Sequence, residues 1–208
     1  MDLDFIYNWN IWLEIIGTIT GIICVCLQTM EKISSWIFGI ISVTLLSILF
    51  YQNNLVSDFV LHIIFLILNI YGWWTWYKYK EVTQDENVTL SLAKSQWLVI
   101  GVIVLLVTPL WGYLMLRYFN ADFAFFDAFT TVGSLIAQYL LAKKYIENWL
   151  IWIIVDVISI VIYIAKGLYI VVFLFIIYLI LSLLGYLNWK GKTRKIPPYL
   201  VGDLLKEK

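Results

Sequence analysis

Apolar positions run along this chain in seven long stretches, at about 11–30, 34–52, 57–77, 96–116, 126–144, 148–165 and 168–188. Short polar breaks separate them: Glu31-Lys32, Asn53-Asn54, Lys78 to Lys94, Asn120 to Asp122, Lys143 to Glu147, and Lys166-Gly167. At 1.5 Å per residue, each stretch is long enough as a helix to cross a hydrocarbon layer of about 30 Å. The pattern predicts an all-α integral membrane protein with seven transmembrane helices. Pro109 falls inside the fourth stretch, where a kink is tolerable in lipid.

The pattern also repeats. Trp36 and Trp149, Gly72 and Gly185, and Trp76 and Trp189 are each separated by 113 positions. The same offset carries Glu14 onto Asp127 and Thr18 onto Thr131, with no gap. Spans one to three therefore match spans five to seven, and the fourth is a connector. A three-span unit needs one extra crossing before it can recur in the same orientation, so the duplication is parallel, about an axis along the membrane normal. The predicted architecture is two parallel three-helix bundles joined by a linker helix (3+1+3). Its parts are an extracytoplasmic N-terminus (1–10), a first repeat (11–77), a cytoplasmic loop (78–95), a linker helix (96–116), a second repeat (126–188) and a basic cytoplasmic tail (189–208).

Charge sets the orientation. With the N-terminus outside, the inner segments hold Lys32; Lys78, Lys80 and Lys94; Lys143 and Lys144; and Lys190, Lys192, Arg194, Lys195, Lys206 and Lys208. Only Arg117 and Lys166 remain outside, so the positive-inside rule places the C-terminus in the cytoplasm. The composition, 62% apolar and 13% charged, lies far from the soluble class. Zero formal net charge and the lack of a basic arm give no case for nucleic acid. Cys24 and Cys26 point about 200° apart on a helix, so they form neither a disulfide nor a metal pair. No catalytic set, His pair at metal spacing or Gly-rich phosphate loop occurs, so neither an enzyme nor a cofactor is expected.

Candidate chemistry lies inside the spans. Trp149, Trp152 and Asp156 fall at i, i+3 and i+7 and share one helical stripe. A carboxyl this deep costs about 2.5–3.5 kcal/mol on insertion scales, so it is expected to face a protein-lined cavity. Indole faces beside it would attract a flat cation. Asp127, Thr131, Ser134 and Gln138 form a second polar stripe, at i, i+4, i+7 and i+11. In the third span His62, Asn69, Trp73 and Trp76 share a face. Trp36 heads the second span as Trp149 heads the sixth, but Gly39 and Val43 stand where the second half has Trp152 and Asp156. The site should therefore be asymmetric. Against each candidate stands a plainer reading. Tryptophans at span ends are usual interfacial anchors, Glu14 and Asp127 suit a solvated mouth, and a lone His62 suits packing.

The Gly72-Trp73-Trp74-Thr75-Trp76 end of the third span and the Trp149-x-x-Trp152 opening of the sixth resemble the PnuC family, bacterial nicotinamide riboside transporters related in architecture to the SWEET sugar transporters. The likeness covers about residues 10–190, and departs from the Gly-Trp motif in the seventh span, where Tyr186 replaces the first Trp. It implies a multi-pass inner-membrane uniporter that binds its substrate between the two bundles and works by facilitated diffusion. A cytoplasmic riboside kinase then traps the product. By motif, Trp149 and Trp152 would contact the ring and Asp156 would hydrogen-bond the ligand; from the polar stripes and span ends above, Gln138, Asn69, Trp73, Trp36 and Thr131 are further candidates. The partners expected are a small aromatic cation, the bilayer, the kinase and, in some assemblies, a second copy of the chain. Thiamine or another vitamin is the nearest alternative cargo. A membrane binding or sensor subunit that does not transport is the alternative from another class.

Overall fold

The computed structural model describes residues 9–83, 89–119 and 123–191. Expectations for the first eight residues, for the polar breaks at 84–88 and 120–122, and for the basic tail from 192 onward lie outside the described residues. Seven helices account for nearly everything else. They are α1 (Trp9–Thr29), α2 (Ser35–Gln52), α3 (Val56–Thr83), α4 (Lys94–Phe119), α5 (Ala124–Ala142), α6 (Glu147–Ala165) and α7 (Tyr169–Lys190). All seven contain a stretch long and apolar enough to cross a bilayer. Among the described residues the only β-type pairing is one isolated bridge, Leu90 with Tyr145. At 28 residues α3 overshoots the predicted span, because the backbone stays helical past Trp76 while the side chains turn polar at Lys78 and Lys80.

The chain divides into two compact units, residues 1–86 and 87–208. In the first, α1 packs on α2 and α2 on α3; in the second, α4 packs on α5, α5 on α6 and α6 on α7. The fourth helix thus clusters with the second unit. Its Gly112 lets the Phe125 ring of α5 approach to a point that a methyl group would occupy. Elsewhere α4 is apolar all round, with Leu98, Leu105, Leu106 and Leu110 exposed, as a lipid-facing helix requires.

The repeat is visible in the backbone of the turns. After α1, Glu31 adopts positive φ (58°) and the Lys32 amide donates to Leu27 O at 3.0 Å. After α5, Lys144 does the same (60°), and Tyr145 donates to Leu140 O at 2.9 Å. The next turn recurs as well: Asn54 (58°) and Gly167 (71°) are left-handed, with Leu55 donating to Phe50 O and Leu168 to Tyr163 O, both at 2.9 Å. Each is a 6→1 closure that satisfies the last carbonyls of a helix. Left-handed backbone costs a non-glycine residue about 1–2 kcal/mol, yet Glu31 and Lys144 both accept it while fully buried.

Small residues bring the helices close. In the first unit the Ser42 hydroxyl of α2 donates to Gly17 O of α1 at 2.7 Å, and Gly17 makes room for Leu46. In the second, Gly133 of α5 receives Val155 of α6. The second unit has an added strap with no counterpart among the described residues of the first. Leu90 donates to Lys144 O and accepts from the Ile146 amide, at 2.8 and 2.9 Å. Glu147, at the start of α6, accepts from the Ser91 hydroxyl at 2.6 Å and the Leu92 amide at 3.0 Å. The chain entering α4 is thereby sewn to the α5–α6 turn.

Candidate functional site

Trp149 and Trp152 begin on one stripe but meet different surroundings. Trp149 is 1% exposed, lies over the bare Cα of Gly185 and stands edge-on to Trp189. Trp36 is 0% exposed and repeats that arrangement with Gly72 and Trp76, 5.3 Å between ring centroids and 88° between planes. The glycine is required at both places, since a Cβ there would enter the indole. Trp36 and Trp149 are therefore spent on locking α2 to α3 and α6 to α7. Their indole Nε1 groups are buried without a hydrogen-bond partner among the described residues.

Trp152, one turn on, is only half-buried. One further turn on, Asp156 is 2% exposed, and its Oδ2 accepts the Ser182 hydroxyl of α7 at 3.0 Å. Among the described residues this is the hydrogen bond to the Asp156 carboxyl, and no ammonium or guanidinium pairs with it. A buried acidic group that has a neutral donor but no cation is short of counter-charge. An organic cation against the adjoining indole would supply it.

The other candidates divide. Gln138 is buried on α5 at 7% exposure, and Thr131, two turns away on the same stripe, is half-buried. Asp127, at the far end of that stripe, is held by Lys166 at 3.1 Å in a half-exposed ion pair. In the first unit Asn69 is 3% exposed; its Nδ2 donates to Phe65 O at 2.8 Å. The Asn69 Oδ1 rests on Gly39 and is buried without a hydrogen-bond partner among the described residues. Trp73 is 41% exposed on α3, next in sequence to Trp74, over whose ring Lys78 Nζ sits at 4.2 Å. That placement suits an interfacial anchor. His62 packs edge-on to Phe50, its Nδ1 bonded to Asp58 O at 2.9 Å.

Within the second unit the structure thus joins Asp156 to Ser182, with Trp152 one turn before Asp156 on the same helix, and uses Trp149 as a packing wedge. Ser182 carried a usable signal, since it occupies the repeat position of Asn69. Glu147 had none; its buried carboxyl serves an irregular strap that periodicity does not register.

The family model for the nicotinamide mononucleotide transporters matches residues 11–191. The chain is 33% identical to the nicotinamide riboside transporter PnuC of Escherichia coli K12, over 88% of this chain and 87% of that one. It is 28% identical to a nicotinamide riboside transporter PnuC of Neisseria mucosa, over 92% of this chain and 76% of the relative. A riboflavin/roseoflavin transporter, RibM of Streptomyces davaonensis, is 25% identical over 89% of this chain and 87% of its own. The crystal structure of a vitamin B3 transporter PnuC superposes with a TM-score of 0.68 at 25% identity, covering 91% of this chain and 85% of that one.

Proposed function

Because the chain belongs to the nicotinamide mononucleotide transporter family and is similar over most of its length to PnuC proteins, we propose that it is a multi-pass membrane protein carrying nicotinamide riboside by facilitated diffusion. The observation that carries this reading is the buried Asp156 carboxyl, held by Ser182 without a cationic partner on the Trp152 face of α6. Nicotinamide riboside brings a pyridinium cation for the carboxyl and indole, and hydroxyls and a carboxamide for groups such as Gln138. In this reading Trp152 and Asp156 contact the ring and its charge. Thr131, on the Gln138 stripe, is a lesser candidate for a polar contact. Trp36, Trp149 and Trp73 act through packing and anchoring.

The direction of net movement follows from charge. A fixed positive charge is drawn inward by an inside-negative potential, by about 2.3 kcal/mol per 100 mV, so uptake needs no coupled ion. With twelve of the fourteen Lys and Arg on one side, the N-terminus faces out and the C-terminus faces the cytoplasm. A cytoplasmic kinase that phosphorylates the riboside would keep it inside by adding negative charge.

A thermal-shift panel on detergent-purified protein tests the cargo. Ligand at 100 times its dissociation constant adds about 2.7 kcal/mol to the bound state. Nicotinamide riboside should raise the melting temperature more than thiamine or riboflavin does. A larger shift with neutral riboflavin would reject the cation-selective site.

A further inference from the structure

Ser182 gains its meaning from comparing the two units position by position. At the 113-residue offset, Trp152 takes the place of Gly39, Asp156 of Val43, and Ser182 of Asn69. In the first unit the long side chain comes from the third helix: Asn69 reaches across until its Oδ1 rests on Gly39. In the second unit the sizes are exchanged. The sixth helix carries the large indole and the carboxyl, and the seventh contributes only a hydroxyl, 3.0 Å from Asp156 Oδ2. Both members of this pair are buried, at 2% and 3% exposure. A longer residue at 182, such as the amide of the first unit, would fill the volume the carboxyl occupies. An alanine would leave one carboxyl oxygen without its donor and the carboxyl free to rotate. Serine provides both the room and the donor.

We propose that Ser182 is a specificity-determining positioning residue, whose hydroxyl fixes the Asp156 carboxyl so that the site favours a pyridinium nucleoside over its uncharged reduced counterpart. The inference rests on the transport reading of Asp156 and adds to it the residue that makes the carboxyl selective. The two ligands have nearly the same shape and hydrogen-bonding groups, so what separates them is the ring charge.

The test measures dissociation constants of nicotinamide riboside and dihydronicotinamide riboside for the purified full chain and for Ser182→Ala, Ser182→Thr and Asp156→Asn. The wild type is expected to prefer the cation. Ser182→Ala should weaken the cation by about tenfold or more, the lower edge of what a hydrogen bond to a charged group contributes, and leave the neutral ligand unchanged. Ser182→Thr, which restores the hydroxyl, should restore the preference. Asp156→Asn should abolish the preference, and adding Ser182→Ala to it should change nothing further. Equal weakening of both ligands in Ser182→Ala, or failure of Ser182→Thr to restore the preference, would overturn the role of Ser182 while Asp156 stands. If Asp156→Asn keeps the preference for the cation, the transport reading of Asp156 itself fails.

Discussion

The indole of Trp149 stands edge-on to that of Trp189, 5.6 Å between centroids and 86° between planes, with its ring over the bare Cα of Gly185. A Cβ added at 185 would lie 2.5 Å from the Trp149 ring. Gly185→Ala must therefore push the indole off its seat, and overpacking of this kind costs about 1–3 kcal/mol. Gly72→Ala should act alike against Trp36. Gly101→Ala, where nothing lies within 4 Å, meets no clash and should hold stability or raise it by up to about 1 kcal/mol through helix propensity. Thermal unfolding of the three variants in one detergent checks the contrast.

Two tryptophans three residues apart should fail in different ways. Trp149→Ala removes a fully buried wedge, a change that costs about 3–5 kcal/mol in packed cores, so it should appear first as lost thermal stability. Trp152→Ala removes a half-buried ring one turn from Asp156 on the same helical stripe. It should weaken nicotinamide riboside at least about tenfold, within the range of a desolvated cation–π contact plus its buried area, with a smaller change in melting temperature. Titration and melting of both variants separate the roles. The reverse pattern would return Trp149 to the binding site.

Glu147 holds the strap. Replacing it by alanine leaves the Ser91 hydroxyl and the Leu92 amide without their acceptor. Both donors are partly exposed, so water can replace the lost bonds and the cost falls below the roughly 1–3 kcal/mol of a fully buried orphan. Hydrogen exchange should speed up across residues 90–92 in Glu147→Ala, and less in Ser91→Ala, which gives up one of the two bonds. Unchanged exchange would mean that the Leu90 bridge alone holds the segment.

The Lys166–Asp127 pair is half-exposed, and exposed ion pairs contribute about 0–1 kcal/mol. Lys166→Ala should therefore lower stability only slightly, and the small difference should shrink as salt is added. A large loss would point to the Phe123 and Tyr163 rings near Lys166 Nζ, at 6.0 and 5.7 Å, as the greater part of its contact.

Hydropathy alone placed the seven helices, because lipid allows few alternatives to a helix in an apolar stretch. It misjudged the end of α3, where hydropathy marks the edge of the membrane but not the end of the hydrogen-bonded backbone. The duplication was legible since the same Trp–Gly–Trp packing, with the indole filling the place of a Cβ at Gly72 and at Gly185, recurs in both units. The role of Trp149 was not, because a tryptophan near a span end reads the same whether it anchors to lipid, stacks on a ligand or fills a cleft above a glycine. Asp156 stood out by its cost in lipid. Its partner Ser182 was legible only as the repeat position of Asn69, and which carboxyl it meets is revealed by the neighbouring helix. The strap at Leu90 to Leu92 was invisible because its order comes from backbone bonds to a turn some fifty residues later.

Carriage of a cation by facilitated diffusion is tested most directly in proteoliposomes holding a potassium diffusion potential, with labelled nicotinamide riboside outside. Uptake should saturate, equilibrate at zero potential without ATP or an ion gradient, and reach about fifty-fold accumulation at 100 mV inside-negative, as expected for 2.3 kcal/mol on one elementary charge. Binding without flux, or uptake that requires ATP or an ion gradient and ignores the potential, would contradict it.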